Sequence, residues 1–333
     1  MQDFDAIVIG AGTAGSFAAK QLHQLGYSVV VLEKSRGAGG RCARRHVEPD
    51  SVDIGCISLD RRQLEHAKSL PSVAAQLEDW SSRGLLANWS VDYGDGVEQH
   101  LVGIPQMNSL HKDLLSGITI ATEQRAHRFE RSEHDQWVVE CLSGEVFRGS
   151  ILIVTAPPAQ ASEMSHVWPA SWLEVFDEAD QTIQAQWTIV VELPIDLVLA
   201  QNGFKQHPVI SHAVLDSSKP NRDHTRQLWV VQASPVWTDR HLNLDKDHAG
   251  DLLCDAFCAM ANIPSESAKL LNTHRWLFGR TDHELDSDNC LFDSERQLAV
   301  CADWLSGGTV VGALTSAAAV INHITEQETT NIA

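Results

Sequence analysis

Basic residues are scarce in this chain of 333 residues. Lysine and arginine number 25 against 44 aspartates and glutamates, a formal net charge of −19. Nucleic acids and anionic membranes are bound by basic faces, so both are excluded as expected partners. No apolar run approaches the ~18 residues of a membrane span. The apolar run at residues 6–9 leads into a glycine loop, unlike a signal peptide. We therefore expect a cytoplasmic protein.

Motifs for metal and nucleophile chemistry are also missing. The 16 histidines include no HExxH spacing, and no Gly-x-Ser-x-Gly elbow occurs, so neither a zinc nor a serine hydrolase is predicted. The seven cysteines are odd in number and form no CxxC pair. Cys254 and Cys258, one helical turn apart, indicate core packing in a reducing compartment. We expect small-molecule ligands, no metal and no obligate protein partner.

The first forty residues hold the most specific pattern. An apolar strand at residues 5–9 runs into residues 10–15, which read Gly-Ala-Gly-Thr-Ala-Gly. A helix pattern at residues 16–25 follows, and a second apolar strand at residues 27–32 ends in Glu33. Glycine loop, helix and terminal acid in this order are typical of dinucleotide binding. Glu33 is placed to accept hydrogen bonds from the hydroxyls of the adenosine ribose.

Each glycine of the loop has a separate role in that interpretation. Gly10 permits the tight turn, Gly12 lets the backbone approach a pyrophosphate, and Gly15 lets the helix pack on the strand. Thr13 and Ala14 open the helix, whose N-terminal N–H groups and partial positive charge favour an anionic ligand. The pattern does not distinguish NAD from FAD.

A second glycine loop with flanking cations favours FAD. Residues 34–41 read Lys-Ser-Arg-Gly-Ala-Gly-Gly-Arg. Lys34 and Gly40 are assigned to the cofactor site, and Arg36 and Arg41 are expected to face the pyrophosphate from the other side. NAD domains usually lack this element, which resembles the glycine–arginine motif of FAD-containing amine oxidases.

The remaining pattern predicts a second domain between two parts of the first. The predicted elements are a helix at 64–80, a hairpin at 137–147, strands at 151–155, 186–192, 209–215, 228–233, 272–278 and 298–302, and helices at 249–261 and 310–324. Ala126 is placed on the strand before the hairpin, where we expect a backbone amide to meet the adenine. Asp303 ends a strand before a helix, where it either holds a ribityl hydroxyl or caps the turn.

These elements predict an α/β fold class: a Rossmann-like FAD-binding domain with a second α+β substrate domain built on an antiparallel sheet. We assign residues 1–60, 95–160 and 290–333 to the discontinuous FAD-binding domain. Residues 61–94 and 161–289 are assigned to the substrate domain.

The chain resembles renalase-like flavoproteins of the flavin-containing amine oxidase superfamily nearly from end to end. The resemblance is carried by Lys34-Ser35-Arg36-Gly37 with Gly39-Gly40-Arg41, Asp53-Ile54-Gly55, Val102-Gly103-Ile104-Pro105, Ser218-Lys219-Pro220, Gln232-Ala233-Ser234 with Trp237, His274-Arg275-Trp276, and Asp303-Trp304 with Gly312-Ala313. It implies non-covalent FAD, with Ile57, Ser58, Gly312 and Ala313 beside it. It also implies oxidation of isomeric forms of NAD(P)H, with hydride transfer to flavin and electrons passed to O2.

The chain departs from that family around the expected substrate pocket. Cys56-Ile57-Ser58 stands where the family usually has Ala-Gln-aromatic, Gln106 replaces a glycine, and Leu314 replaces a frequent tryptophan. Ser58 and Leu314 are expected to line the slot over the isoalloxazine. Losing two aromatic rings there predicts weak turnover of the family's usual substrates.

Other pocket candidates remain open between two interpretations. Trp237 and Trp276 either wall the flavin pocket or pack in the core. His274 is a hydrogen-bonded sheet histidine or a base. Arg275 pairs with an anionic ligand or with a carboxylate of the chain. Lys219 is usable for a substrate phosphate or lies in a solvated loop.

The leading hypothesis is an FAD oxidase acting on a dihydronicotinamide-type donor. Aromatisation of such a donor drives hydride transfer, so no catalytic triad is expected. The alternatives are a flavin amine oxidase and a flavin-binding homologue with little turnover.

Overall fold

Two large sheets organise the chain in a computed structural model, which describes residues 2–60, 64, 70–281 and 289–332. One is an eight-stranded mixed sheet and the other a five-stranded antiparallel sheet. Among those residues, none of the helices is long and apolar enough to cross a membrane.

The secondary structure is as follows. The strands are β1 (Gln2–Ile9), β2 (Val29–Glu33), β3 (Arg44–Val47), β4 (Asp50–Asp53), β5 (Leu59–Asp60), β6 (Leu86–Asp92), β7 (Val97–Gly103), β8 (Thr119–Thr122), β9 (Ala126–Arg131), β10 (Trp137–Cys141), β11 (Val146–Val154), β12 (Gln184–Leu193), β13 (Gly203–Lys205), β14 (Ile210–Leu215), β15 (Gln227–Ala233), β16 (Lys269–Arg280), β17 (Leu291–Asp293) and β18 (Leu298–Val300). The α-helices are α1 (Thr13–Gln24), α2 (Pro71–Ser82), α3 (Ser109–Leu114), α4 (Pro158–Ser162), α5 (Ala170–Asp180), α6 (Pro235–Arg240), α7 (Lys246–Ala261) and α8 (Val310–Ile332).

The first sheet is parallel at its centre. Strand β1 lies between β2 and β11, with β8 and β18 outside them, all parallel. Strands β17, β10 and β9 are added antiparallel. The apolar runs of β1 and β2 are buried because helices and the β9–β10 hairpin cover both faces. The carboxyl ends of the parallel strands meet at one edge, where ligands bind in open α/β sheets.

The second sheet is entirely antiparallel, in the order β13-β14-β15-β12-β16. Helix α7 packs on one face and contributes Leu253 and Phe257 to a core with Trp187 and Trp229. Strand β16 is one of its two edge strands, and β13 is the other. The predicted α/β fold class with a separate antiparallel sheet is confirmed.

Residues 161–180, predicted to belong to the substrate domain, instead pack on the first sheet. Trp172 and Phe176 of α5 are buried with Trp168 and Trp304, and the Phe176 and Trp304 ring centroids lie 6.0 Å apart. This aromatic cluster covers one face of the first sheet, so the predicted boundary at residue 160 lies too early.

Two further expectations differ from the structure. The helix predicted at 64–80 spans Pro71–Ser82, because Pro71 suits the first helical turn; residues 65–69 lie outside the described part. The boundary predicted between residues 94 and 95 cuts a hairpin, since β6 and β7 pair along their length from Leu86–Gly103 to Asp92–Val97.

Candidate cofactor and substrate cleft

A cleft of about 1020 Å³ lies at the carboxyl edge of the parallel strands and extends to the edge strand β16. This volume is at the upper end for small-molecule sites. The predicted cofactor residues that line it are Gly10, Gly12, Thr13, Ala14, Glu33, Lys34, Gly40, Arg41, Ile57, Ser58, Ala126, Asp303 and Ala313.

The glycine loop has a conformation that side chains would not allow. Gly10 has a φ of +106°, and a Cβ there would lie 2.4 Å from Thr155 Oγ1. A Cβ on Gly15 would lie 2.0 Å from the Gly10 carbonyl oxygen, so helix α1 can approach the strand only with glycine there. Gly15 therefore shapes the loop without lining the cleft. A Cβ on Gly12, by contrast, would meet no described atom within 4 Å, which leaves backbone open to a ligand.

Glu33 connects the first glycine loop to the start of the second. Its carboxylate accepts hydrogen bonds from Ala11 N–H at 2.9 Å and Ser35 N–H at 2.7 Å, and the residue is 6% exposed. An ionised carboxylate has about four acceptor positions. The two that remain can accept ribose hydroxyls, so Glu33 has a structural role that the sequence did not indicate.

The second glycine loop packs directly on the first. Gly39 N–H donates to the Ala11 carbonyl at 2.9 Å, and a Cβ on Gly40 would lie 3.2 Å from Gly12 Cα. Arg41 lines the cleft, whereas Arg36 is exposed and outside the lining, which does not support the prediction that Arg36 faces a pyrophosphate.

Asp303 lines the cleft and forms an ion pair with Arg41 across it. The chain then passes through Gly307 and Gly308 into helix α8, whose N-terminal turn also lines the cleft. The partial positive charge of that helix terminus is therefore directed at any ligand there.

Two residues of α8 do not have their predicted places. A Cβ on Gly312 would lie 1.7 Å from the Ser306 carbonyl oxygen, so this glycine permits close packing and does not line the cleft. Leu314 is 0% exposed and belongs to the core beneath the first sheet. The expectation that Leu314 lines the substrate slot is wrong, because Ala313 faces the cleft and the next residue points about 100° away.

At one end, the cleft is lined by Lys34, Ala126 and residues of the β8–β9 connection. The Lys34 ammonium donates to Gln160 Oε1 at 3.2 Å, and burial lowers the Lys34 pKa. Ala126 is the first residue of β9 and is 6% exposed, so it offers the cleft its backbone and no large side chain.

The opposite end is lined by aromatic and polar side chains, several of which the sequence did not indicate. They are Tyr93, His100, Gln186, His212, Gln232, Trp276 and Phe278. Trp276 and Phe278 lie on β16, whose pairing with β12 is irregular between Trp276 and Arg280, and the six consecutive residues 275–280 all line the cleft. Ser58 hydroxyl lies 3.2 Å from His100 Nδ1 at this end.

Charged side chains of both signs line the aromatic end of the cleft. Glu98 pairs with Lys205, whose Nζ lies 2.7 Å from Glu98 Oε1. Arg275 and Arg280 also line this part of the cleft. Burial, followed by the charge of Arg280, lowers the pKa of His212, so this histidine is neutral at pH 7. Burial also raises the pKa of Tyr93 to about 12, which keeps the phenol protonated.

Three other candidates lie away from the cleft. Trp237 packs in the second core and stacks on His241 at 4.2 Å. His274 is within 3.1 Å of Arg45 and 4.4 Å of the Trp276 ring, and burial followed by Arg45 lowers its pKa to about 4. His274 thus fits the sheet-histidine interpretation. Gln106 is absent from the lining and accepts from Arg44 at 3.0 Å.

Lys219 does not lie in a solvated loop, as one interpretation had it, and is not free for a substrate phosphate. It is 1% exposed, with Nζ 2.9 Å from Asp53 and 2.6 Å from Asp216. Arg275 donates to the Leu242 carbonyl, and its guanidinium lies 5.3 Å from the Trp187 ring centroid. Among the residues that the structure describes, no group of three or more histidine, cysteine or acidic side chains is placed to bind a metal.

Taken together, the glycine loop, terminal acid and parallel sheet define a Rossmann-like dinucleotide-binding unit, joined to a second antiparallel sheet. Residues 8–68 match the family model of the NAD(P)-binding Rossmann-like domain. A zeta-carotene-forming phytoene desaturase of Myxococcus xanthus is 45% identical over 75 residues, which are 22% of this chain and 14% of the desaturase. The chain thus aligns with only a small part of that relative.

The whole fold is similar to solved oxidase structures. Putrescine oxidase bound to putrescine aligns with a TM-score of 0.69 and 11% identity over 97% of this chain and 99% of the oxidase. A protein of Exiguobacterium sp. 255-15, provisionally named a protoporphyrinogen oxidase, aligns with a TM-score of 0.73 and 11% identity over 98% and 99% of the two chains. At this identity, the likeness establishes a shared fold.

Proposed function

We propose that the chain is an FAD-dependent oxidoreductase that holds FAD non-covalently and takes hydride from a small donor. The observation that carries this proposal is one continuous cleft. It joins a glycine loop shaped for a pyrophosphate to a second, aromatic-lined end beneath another sheet. A cleft that bound only the cofactor, with no donor molecule beside it, would not need the aromatic-lined end.

The residues of the cleft fit FAD along its length. Glu33 retains acceptor positions for the adenosine ribose, and Ala126 offers backbone to the adenine. Thr13 and Ala14 begin a helix whose N-cap residue supplies no side-chain cap, so their N–H groups suit the pyrophosphate. Asp303 and the N-terminus of α8 lie further along, where they suit the ribityl hydroxyls and the flavin.

The chain's own residues position the donor and exclude water. A bound flavin supplies the electron acceptor for hydride. Trp276 and Tyr93 offer flat surfaces on which a donor ring stacks, and the neutral His212 and Gln232 offer hydrogen bonds. No strong base is required for a dihydropyridine, because loss of hydride makes its ring aromatic.

The charges at the aromatic end favour a dihydronicotinamide-type donor, and we propose O2 as the electron acceptor. Arg280, which lines this end, favours an uncharged ring that carries phosphates over a cationic amine, whereas the Arg275 guanidinium is engaged by the Leu242 carbonyl and the Trp187 ring. The carboxylate of Glu98 is already engaged by Lys205, and so is poorly suited to bind a second cation.

Amine oxidation is the second candidate, and one observation favours it. Tyr93, Trp276 and Phe278 line the same end of the cleft, and aromatic side chains around a site bind ammonium groups through cation–π attraction.

Anaerobic reduction of the bound flavin distinguishes the candidates. The FAD-loaded protein is mixed with isomeric dihydronicotinamides or with primary amines, and bleaching of the flavin absorbance is followed. We expect bleaching by a dihydronicotinamide. Bleaching by amines alone would favour the second candidate, and no bleaching by either would indicate a flavin-binding homologue with little turnover. Release of FMN, or failure to bind FAD, would refute the proposal.

A matched pair of variants tests the cofactor end. Glu33→Gln is expected to weaken FAD binding by roughly 1.5–3 kcal/mol, the range for a hydrogen bond to a charged group. Glu130→Gln, an exposed acid paired with Arg128, is the control and should leave affinity unchanged. Turnover at saturating FAD should hardly change in either variant. Equal FAD affinity of the two would place the ribose elsewhere.

A further inference from the structure

Two cysteines line the same stretch of the cleft wall. Cys42 ends the 3-10 turn Gly40–Cys42 and is 3% exposed, whereas Cys56 follows β4 and is half-buried. Cys56 N–H donates to the Arg41 carbonyl at 2.8 Å, which holds the two segments together. The two thiols are near enough to shift each other's pKa. The Cys56 thiol donates to the Ser58 carbonyl at 3.2 Å, and both cysteines line the cleft.

The surroundings make the two thiols unequal. The hydrogen bond from Cys42, with a smaller contribution from the charge of Lys219, outweighs burial and lowers the pKa of Cys56. The same hydrogen bond and burial raise the pKa of Cys42. Cys56 is thus the more acidic and the more exposed of the two. Thiolate character and access together determine which cysteine reacts with peroxides.

A second pair in the same chain shares the thiol–thiol hydrogen bond but is buried and has no thiol with a lowered pKa. Cys254 and Cys258 lie on α7 in the second core and are 8% and 1% exposed. Burial raises the pKa of Cys254 to about 12 and also raises that of Cys258. Neither lines the cleft, so this pair is an internal control.

We propose that Cys42 and Cys56 form a redox-active dithiol, which hydrogen peroxide converts to a disulfide within the cleft. The Cys56 thiolate attacks one peroxide oxygen, the O–O bond breaks, and hydroxide leaves, so that Cys56 becomes a sulfenic acid. The Cys42 sulfur then attacks Cys56 Sγ; the S–O bond breaks, and water leaves with the Cys42 proton. In total, two thiols lose two electrons and two protons, and one peroxide becomes two waters.

This inference does not depend on the proposed flavin chemistry. An oxidase that passes electrons to O2 would release peroxide in this cleft, but the test supplies peroxide from outside. The disulfide would join the second glycine loop to the segment that contains Ile57 and Ser58.

The test is peroxide treatment of the whole purified chain, followed by denaturation, alkylation and peptide mass mapping. We expect loss of two hydrogens in a peptide pair linking Cys42 to Cys56, reversed by dithiothreitol. Without peroxide, iodoacetamide should modify Cys56 faster than Cys254, because Cys56 is the more exposed thiol and its pKa is lowered, whereas burial raises that of Cys254.

Variants separate the two roles. Cys42→Ser should stop at the sulfenic acid, trapped by dimedone on Cys56, and Cys56→Ser should give neither product. The variant Cys254→Ser should form the disulfide as the wild type does. Oxidation of all cysteines at equal rates, sulfenic acid on the wild type without disulfide, or a link between other cysteines would overturn the proposal. Mass mapping of the wild type decides it even where a variant does not fold.

Discussion

Replacing Lys219 with methionine would remove a cation from the centre of a buried charge cluster. The Lys219 ammonium lies 2.9 Å from Asp53 Oδ2 and 2.6 Å from Asp216 Oδ1, and Arg222 Nη2 lies 2.5 Å from Asp53 Oδ2. The four side chains are at most 7% exposed. Two acids and two bases make the cluster neutral, whereas the variant leaves two buried carboxylates against one guanidinium.

The expected loss of stability is large because the cluster is dry. Breaking a buried ion pair by removing one partner costs about 3–5 kcal/mol, since an uncompensated charge remains. Burial lowers the pKa of Lys219, but the attraction of Asp216 and Asp53 more than offsets it, so the pKa lies above its ordinary value. Lys219 is therefore charged at pH 7. The variant also loses the contact of the ammonium with Trp89, 5.3 Å from the ring centroid.

Urea unfolding followed by fluorescence and circular dichroism measures the effect. With a slope of about 3 kcal/mol per molar urea, the midpoint should fall by about 1 M or more. Arg128→Met is the control, because Arg128 and Glu130 form an exposed pair and should lose under about 1 kcal/mol. Adding Asp53→Asn to Lys219→Met should restore part of the loss. Equal midpoints for the two methionine variants would refute the buried-charge reasoning.

Three more outcomes are expected. Gly12→Ala should fold normally but bind FAD at least tenfold more weakly, as a flavin titration would show. Gly15→Ala should lower the melting temperature measured by calorimetry, because the added Cβ would meet the Gly10 backbone, whereas a Cβ on Gly12 would meet no atom of the described residues within 4 Å. Burial lowers the pKa of His111 to about 4, so between pH 6.5 and pH 4 the unfolded chain binds a proton that the folded chain does not. The free energy of unfolding, measured by urea titration, should therefore fall by about 3 kcal/mol from pH 6.5 to pH 4. The fall should be smaller in His111→Gln. Ser58→Tyr should tighten a dihydronicotinamide ligand severalfold in an absorbance titration, while Leu314→Trp should cost about 1–3 kcal/mol through overpacking.

The cofactor loop could be predicted because its determinants are local. Gly10, Gly12, Gly15 and Glu33 lie within 24 residues, and their roles follow from backbone conformation and from the position at which a strand ends. One feature of this region could not be predicted from the local sequence. Glu33 accepts from Ala11 and Ser35, a tertiary arrangement that a strand-ending acid does not by itself indicate.

The aromatic end of the cleft could not be predicted because its residues are far apart in the sequence and are brought together only by the fold. Tyr93 and His212 reach the cleft from different sheets. Lys219 stands between serine and proline, a context typical of an exposed turn, and only the distant Asp53 explains its burial. Leu314 was misplaced for a different reason: a helix turns about 100° per residue, so its neighbour Ala313 takes the cleft-facing position.

The two ends of the cleft are therefore built in different ways, and this difference determines which residues can be substituted without loss of the fold. The cofactor end depends on backbone conformation and close approach, at Gly10, Gly15 and Gly40, where added atoms would clash. The aromatic end depends on side chains from several strands, among them Trp276 and Phe278 of β16, which can be exchanged while the strand keeps its pairing with β12. Substitutions near Ser58 and on β16 are thus expected to alter which ligand binds at the aromatic end while leaving the glycine loops unchanged.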